Sequence, residues 1–249
     1  MTLNAAGWFD WAFKAPPHVP GGTNGGRNGG KGMIPHSAVG DWDTLSDLME
    51  FLEGRITAPE GQRASWGGTN MKNGIFYQHF SVWEQTWTSG CGYANNNFFA
   101  FENAGGAYFP NGDPNFSEPL THLQTDNIIH IGRDLKAVQF WNPRRPINSA
   151  DLDASLYEHN EMTRWGAAAT ACPSGRIPWN IIVPSLKEPE EDMAAIELIW
   201  AYETSQLYVL GQGDPRWVAD PKAAADLEKA YGKPTKALST AALKALGAK

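Results

Sequence analysis

The sequence predicts an α/β fold: a mixed central β-sheet flanked by helices, with a small C-terminal α+β appendage. Three observations carry that expectation. Short apolar runs rich in β-formers recur at 33–39, 64–71, 75–82 and 98–103. Stretches with apolar residues at helical spacing lie between and after them, at 42–52 and 119–138. Strands interleaved with crossing helices over roughly 33–185 are the signature of a layered α/β domain.

Each element has its own justification. Residues 1–20 carry Trp8, Phe9, Trp11 and Phe13 and then prolines, which reads as an irregular arm packed onto the domain. Residues 21–32 hold seven glycines in twelve positions, the composition of a flexible linker. Gly25, Gly30 and Lys31 nearly spell a phosphate loop, but Gly32 stands where a hydroxyl is needed, and Pro35 sits where its helix should start. A strand is expected over Met33–Val39. Asp41 or Asp43 can cap the helix that follows, with Trp42, Leu45, Leu48, Met49 and Leu52 as its stripe and Gly54 as its stop. Ala64–Met71 and Ile75–Val82 read as a hairpin around Lys72-Asn73-Gly74. Phe98–Asn103 is a further strand, and Pro119–Val138 a helix. Another strand-like stretch surrounds Leu156, and Ile181–Val183 closes this part. Beyond it, a helix over Pro189–Glu203, short strands at 207–210 and 217–218, a helix from Asp220 to Gly232 and a last one capped by Ser239 make the appendage. The expected organisation is an arm and Gly-rich linker at 1–32, a main domain at 33–188 and a C-terminal module at 189–249.

Composition narrows the function classes. The chain has 249 residues, 42% hydrophobic and 19% charged, with a net charge of −7. That is enough apolar content for a core, and the acidic balance argues against nucleic acid as a partner. No unbroken apolar run is long enough to span a membrane, so membrane anchoring is not expected. The first residues lack the basic start and apolar stretch of a secretory signal. This reading gives a protein made in a cytoplasm and expected to be monomeric. Residues 219–249 carry six lysines against three acidic residues, unlike the rest of the chain. Eleven tryptophans suit a protein that meets sugars or flat ligands.

Among the six histidines, His79, His122 and His130 read as ordinary strand and helix residues. His36 ends an apolar strand, where open α/β sheets bind ligands. His159 and Cys172 lie thirteen positions apart. Two imidazoles and a thiolate make a three-ligand zinc site that leaves one position for water. The spacing alone leaves other readings open: a free buried cysteine with unrelated histidines, or a Cys91–Cys172 disulfide.

Five segments occur in order: Ile34-Pro35-His36-Ser37; Ala64-Ser65-Trp66 through Asn73-Gly74 to Tyr77-Gln78; Asn95 through Phe101-Glu102-Asn103-Ala104-Gly105; Glu158-His159; and Thr170-Ala171-Cys172-Pro173 through Arg176-Ile177-Pro178-Trp179. Together, over about 33–180, they resemble the zinc-dependent N-acetylmuramoyl-L-alanine amidase family, which includes phage endolysins and peptidoglycan recognition proteins. The tryptophan content and the Arg-Ile-Pro-Trp ending look most like endolysins. The resemblance implies Zn2+ held by His36, His159 and Cys172. The implied reaction is hydrolysis of the amide between N-acetylmuramic acid and L-alanine, with Glu102 as general base and Thr170 near the developing oxyanion. Two departures stand out: Trp66 occupies a position where some members carry a catalytic tyrosine, and Pro35 precedes the first ligand. Residues 164–169 look like an extra loop. Trp66, Trp83, Trp87, Asn95 and Arg176 are expected to line a groove for the glycan strand and stem peptide of peptidoglycan. The lysine-rich end is a candidate for wall targeting. An endolysin released through a separate membrane pore would need no signal peptide. A binding-only protein on the same fold, or a virion component that opens the wall, are the alternatives.

Overall fold

The computed structural model describes residues 3–105 except 39, 41 and 43, residues 118–187 except 174, and beyond these the strands at 197–201, 206–210, 216–217 and 236–238. The chain forms two compact units, residues 1–187 and 188–249.

The first unit is built on β1 (Phe13–Lys14), β2 (Thr23–Arg27), β3 (Gly32–Ser37), α1 (Leu45–Ile56), β4 (Gly68–Asn70), β5 (Phe76–Gln78), β6 (Glu84–Thr86), α2 (Gly92–Asn97), β7 (Phe98–Asn103), α3 (His122–Gln139), a 3-10 helix (His159–Trp165) and α4 (Trp179–Lys187). Its central sheet has the order β1-β5-β4-β7-β3. The β4–β5 hairpin is antiparallel and the other pairings are parallel, so the sheet is mixed, as expected.

Alternation along β7 divides the core. Phe99 and Phe101 face α3 and α4, where they meet Ile128, Ile131, Leu135, Ile182 and Leu186. Phe98 and Ala100 face the other way, with Ile34 and Tyr157. Helix α1 closes part of the sheet with Leu48, Leu52 and Ile56 against Trp66, Met71 and Phe80. Period-2 alternation on strands and a 3.6 period on helices put these side chains in apposition.

Several boundaries differ from expectation for identifiable reasons. The N-cap of α1 is Thr44, whose hydroxyl accepts from Asp47 N–H; Asp41 and Asp43 lie outside the described residues. Gly54 lies inside α1, which runs on to a Thr57 cap. Helix α3 starts at a complete capping box of Thr121 and Gln124. The strand expected near Leu156 is a single parallel bridge to Met33, and residues 181–183 belong to α4. The glycine-rich stretch is not a free linker. β2 pairs antiparallel with β6, and Gly29 and Lys31 donate to the carbonyls of Asn96 and Asn97. Gly32 is needed where it stands: at φ +145°, a Cβ there would lie 1.9 Å from the Ser155 carbonyl oxygen.

The second unit contains β8 (Glu197–Ala201), β9 (Gln206–Leu210), β10 (Arg216–Trp217) and β11 (Lys236–Leu238), in the order β10-β9-β8-β11. Residues 197–201, expected as helix, are strand. The run Glu-Leu-Ile-Trp-Ala fits either period, and its β-branched and aromatic residues favour pairing with β9. The helices expected at 220–232 and after 239 lie outside the described residues.

Candidate metal centre

The site forms where two parallel strands end together. β3 and β7 pair in register with His36 beside Glu102 and Ser37 beside Asn103. Paired residues of parallel neighbours project from the same face, so an imidazole and a carboxylate share the face opposite α3. The His36 Nδ1 lies 3.7 Å from Glu102 Oε1. A buried amide network locks this corner. Asn103 donates to the His36 carbonyl (2.6 Å), and Asn70 joins Asn103 to α3 through the Gln124 carbonyl.

Two loops bring the other donors. His159 opens the 3-10 helix, whose cap is Glu158, with reciprocal bonds between Glu158 and Glu161. Glu158 also accepts from Trp179 Nε1 at 2.5 Å, and the Arg145 guanidinium lies 4.5 Å over the Trp179 ring. The Asn160 N–H donates to the Cys172 carbonyl (2.8 Å), tying the two ligand loops together. The Ser37 N–H points at Cys172 Sγ at 3.2 Å, and the Cys172–Pro173 peptide is cis. The ligand atoms of His36, His159 and Cys172 all lie within 4.8 Å of one another. The His36 and His159 rings are 4.4 Å apart. Both cysteines are free thiols.

The electrostatics of this cluster fit a cation. His36 is 1% exposed, and its Nε2 is buried with no hydrogen-bond partner. An orphaned buried nitrogen is costly unless something binds it. Burial holds His36 well below the usual imidazole range, with His159 adding to the effect. Burial lowers His159 as well. Burial pushes the Cys172 thiol up, and the Glu102 charge adds to that. Burial also raises Glu102 to about 8, against the pull of Arg176, and Glu102 Oε2 is a second buried atom without a partner. Two neutral imidazoles and a thiol beside a carboxylate fit a divalent cation, and a His2Cys set leaves one coordination position open.

A cavity of about 270 Å3 opens beside the cluster, with Ser37, Glu102 and Trp66 in its wall. Of the five residues expected to line a substrate groove, Trp66 stands in the wall of this cavity. It is 4% exposed, and its Nε1 donates to Thr69 Oγ1. The other four line no part of this cavity. Trp83 packs against the main core, under the Arg27 guanidinium. The backbone N–H of Trp87 donates to Ser65 Oγ, and the Asn95 carboxamide accepts from Ser89 N–H. Arg176 is 5% exposed and donates to Ser37 Oγ and to the carbonyls of Glu118 and Ala104. It braces the β3 end from beneath. Thr170 Oγ1 accepts from Cys172 N–H (3.2 Å), holding the turn that presents the thiol. The sequence reading missed Trp42, Phe51 and Arg55, which also line the cavity. It missed Ser37 and Glu158 as supports of the ligands too. Phe51 and Arg55, four apart on α1 and off its buried stripe, were the visible signal.

No protein-family model and no curated protein matches the chain. Solved structures do match. The hydrolase AmiA of Staphylococcus aureus, solved with its ligand, superposes over 71% of this chain and 81% of its own, with a TM-score of 0.50 and 13% identity. The chain shares the AmiA fold. The endolysin N-acetylmuramoyl-L-alanine amidase LysCS from Clostridium intestinale covers 74% of this chain and 99% of its own, at 16% identity and a TM-score of 0.49. A mutant endolysin from Bacillus subtilis covers 70% and 97%, at 17% identity and a TM-score of 0.45. At such identities AmiA speaks to the fold alone. It confirms the α/β layering.

Proposed function

We propose that the chain is a zinc-dependent peptidoglycan amidase of endolysin type, which hydrolyses the amide between N-acetylmuramic acid and the L-alanine of the stem peptide. The observation that carries this reading is the convergence of His36, His159 and Cys172 beside the buried carboxylate of Glu102. The three ligands would hold Zn2+, which when bound polarises a carbonyl and lowers the pKa of a water. Every other part falls to the chain itself. Glu102 receives the proton of the attacking water on its unpartnered oxygen and passes it to the departing amine of L-alanine. The Thr170 oxygen is the acceptor in its own turn, so its proton is free to donate to the developing oxyanion. The Asn103 and Ser37 contacts fix the first histidine and the thiol, so the loops need not reorganise during the reaction. Residues 188–249 form the second compact unit, whose lysine-rich end suits contact with anionic wall polymers.

Digestion of purified peptidoglycan with the protein, with and without a chelator, tests this. Free stem peptides that begin at L-alanine, lost on chelation and restored by zinc, are the expected products. Intact muropeptides in the presence of zinc would refute the enzyme. Deleting residues 205–249 should weaken wall binding while leaving cleavage of soluble muropeptides intact.

A further inference from the structure

One side chain outside the ligand set reaches both loops that bring His159 and Cys172 together. A metal-binding imidazole is normally aimed by a hydrogen bond from its second ring nitrogen. Among the described residues the His159 ring makes no hydrogen bond, so its aim comes from its backbone. That backbone opens a 3-10 helix, an element whose own hydrogen bonds have poor geometry. Arg145 supplies the missing support. Its Nη1 lies 2.8 Å from Glu161 Oε2, and its Nη2 lies 3.8 Å from Glu158 Oε2. These are the two carboxylates of the capping box around His159, and Glu161 Oε2 also accepts from the Glu158 N–H at 2.7 Å. The face of the same guanidinium covers Trp179, whose Nε1 donates to Glu158 Oε1. Trp179 opens α4, just beyond the turn that presents Cys172. Arg145 Nη1 also donates to the Leu156 carbonyl at 2.9 Å. The neighbouring Arg144 carbonyl accepts from the Ser155 and Leu156 N–H groups, and Ser155 and Tyr157 pair with Met33 on the strand of His36. The guanidinium is thus fixed to the sheet on one side and to both ligand loops on the other.

We propose that Arg145 is the positioning residue for His159: it clamps Glu158, Glu161 and Trp179 together and so sets how tightly His36, His159 and Cys172 hold a divalent cation. The inference rests on the zinc reading above and adds a residue that contributes no ligand atom. Stability alone does not account for the arrangement. Partly exposed ion pairs stabilise a fold only weakly, and the Arg144–Asp151 pair already holds the same segment. The geometry is also specific to arginine. One planar group meets two carboxylates with its edge and an indole with its face, which the point charge of a lysine cannot do at once.

Competition of the full chain with a chromophoric chelator for Zn2+, at one fixed pH, tests this. R145Q should bind zinc about 10–100-fold more weakly than wild type, the usual effect of removing a support behind a metal ligand. R145K should recover part of that loss, and W179F, which keeps the ring but not the donor to Glu158, should lose less than R145Q. The control is R144Q. It breaks the Arg144–Asp151 pair in the same segment but touches neither carboxylate of the capping box, and it should bind zinc as wild type does. Thermal unfolding of the metal-free proteins separates a general loss of stability from the loss of affinity. Co2+ in place of zinc gives a second readout: the visible absorption bands of the R145Q protein should shift or broaden as the ligand geometry loosens. Wild-type zinc affinity and an unchanged cobalt spectrum in R145Q overturn the proposal, whatever its unfolding midpoint. An equal loss of affinity in R144Q overturns it too, since the effect would then belong to the whole segment. Should R145Q fail to fold, R145K takes its place and should still bind zinc several-fold more weakly than wild type; no loss there overturns the clamp. Wild-type protein that binds no zinc removes the metal reading itself and this inference with it, an outcome that the wild-type titration alone identifies.

Discussion

His79 offers the sharpest quantitative test of how the pocket wall is held. It is 1% exposed, with Nδ1 2.8 Å from the Ala15 carbonyl and Nε2 2.9 Å from Thr69 Oγ1. A carbonyl can only accept, so Nδ1 must carry the proton. Thr69 Oγ1 already accepts from Trp66 Nε1, so its own hydroxyl donates to Nε2. The ring is therefore wired as the neutral tautomer. Burial takes its pKa down from 6.5 to about 4, with the Ala15 carbonyl opposing. The folded pKa lies below the unfolded one, so between pH 4 and 6.5 the unfolded chain binds the extra proton. This contribution to stability is intact above pH 6.5 and is lost as pH falls toward 4. At about 1.4 kcal/mol per unit, the loss approaches 3 kcal/mol, a large part of the ~5–15 kcal/mol that holds a domain together. H79Q can keep one acceptor and one donor while removing the titration. Urea unfolding of both proteins at pH 7, 6, 5 and 4 should show wild type losing about 3 kcal/mol more than H79Q. His36 and His159 titrate in both proteins and cancel in the difference. Parallel stability–pH curves would refute the tautomer argument and the wiring on which it rests.

Other outcomes follow from the same geometry. E102Q should retain zinc yet lose cleavage by roughly 10²–10⁴-fold, the contribution of a positioned proton carrier; metal analysis beside a muropeptide assay reads both. C172S should lose the metal on dialysis and activity with it, and full zinc occupancy in that variant would remove Cys172 from the ligand set. G32A drives a Cβ against the Ser155 carbonyl at a positive φ, and should cost on the order of 2–4 kcal/mol in thermal or urea unfolding.

The parts of the fold legible in the sequence were those with a clear period. β7 stands where Phe98–Asn103 was expected, and Ile128, Ile131 and Leu135 of α3 are buried, while Leu123 and Val138 at the two ends of the expected stripe are exposed. The glycine-rich stretch misleads because composition reports chain freedom and not backbone pairing. Its glycines serve close approach to β6 and Ser155. Helix α2 leaves no apolar stripe to read, since Ala94 is its one buried residue. At the site, positions 36, 159 and 172 are too far apart for spacing to join them, and the likeness to a family had to suggest what the geometry brings together. Trp42 and Phe51 escaped notice because an aromatic residue near an apolar stripe reads as core. Arg176 read as a ligand hook, and its guanidinium donates to Ser37 Oγ and two carbonyls, contacts no linear pattern encodes.

The two short pairings at the sheet borders bear on how the molecule behaves in a crowded solution. β1 adds in parallel to β5, and Ala15 continues that contact to the Gln78 carbonyl. On the far side, Ser155 and Tyr157 occupy the outer backbone groups of Met33. Both rims of the five-stranded layer are thus occupied by a few residues of irregular chain, which denies a second molecule the bare ladder that seeds fibrils. Shortening the chain by trimming the arm would expose Phe76–Gln78 as an open template. The truncated product would be expected to clump during expression even with His36, His159 and Cys172 intact.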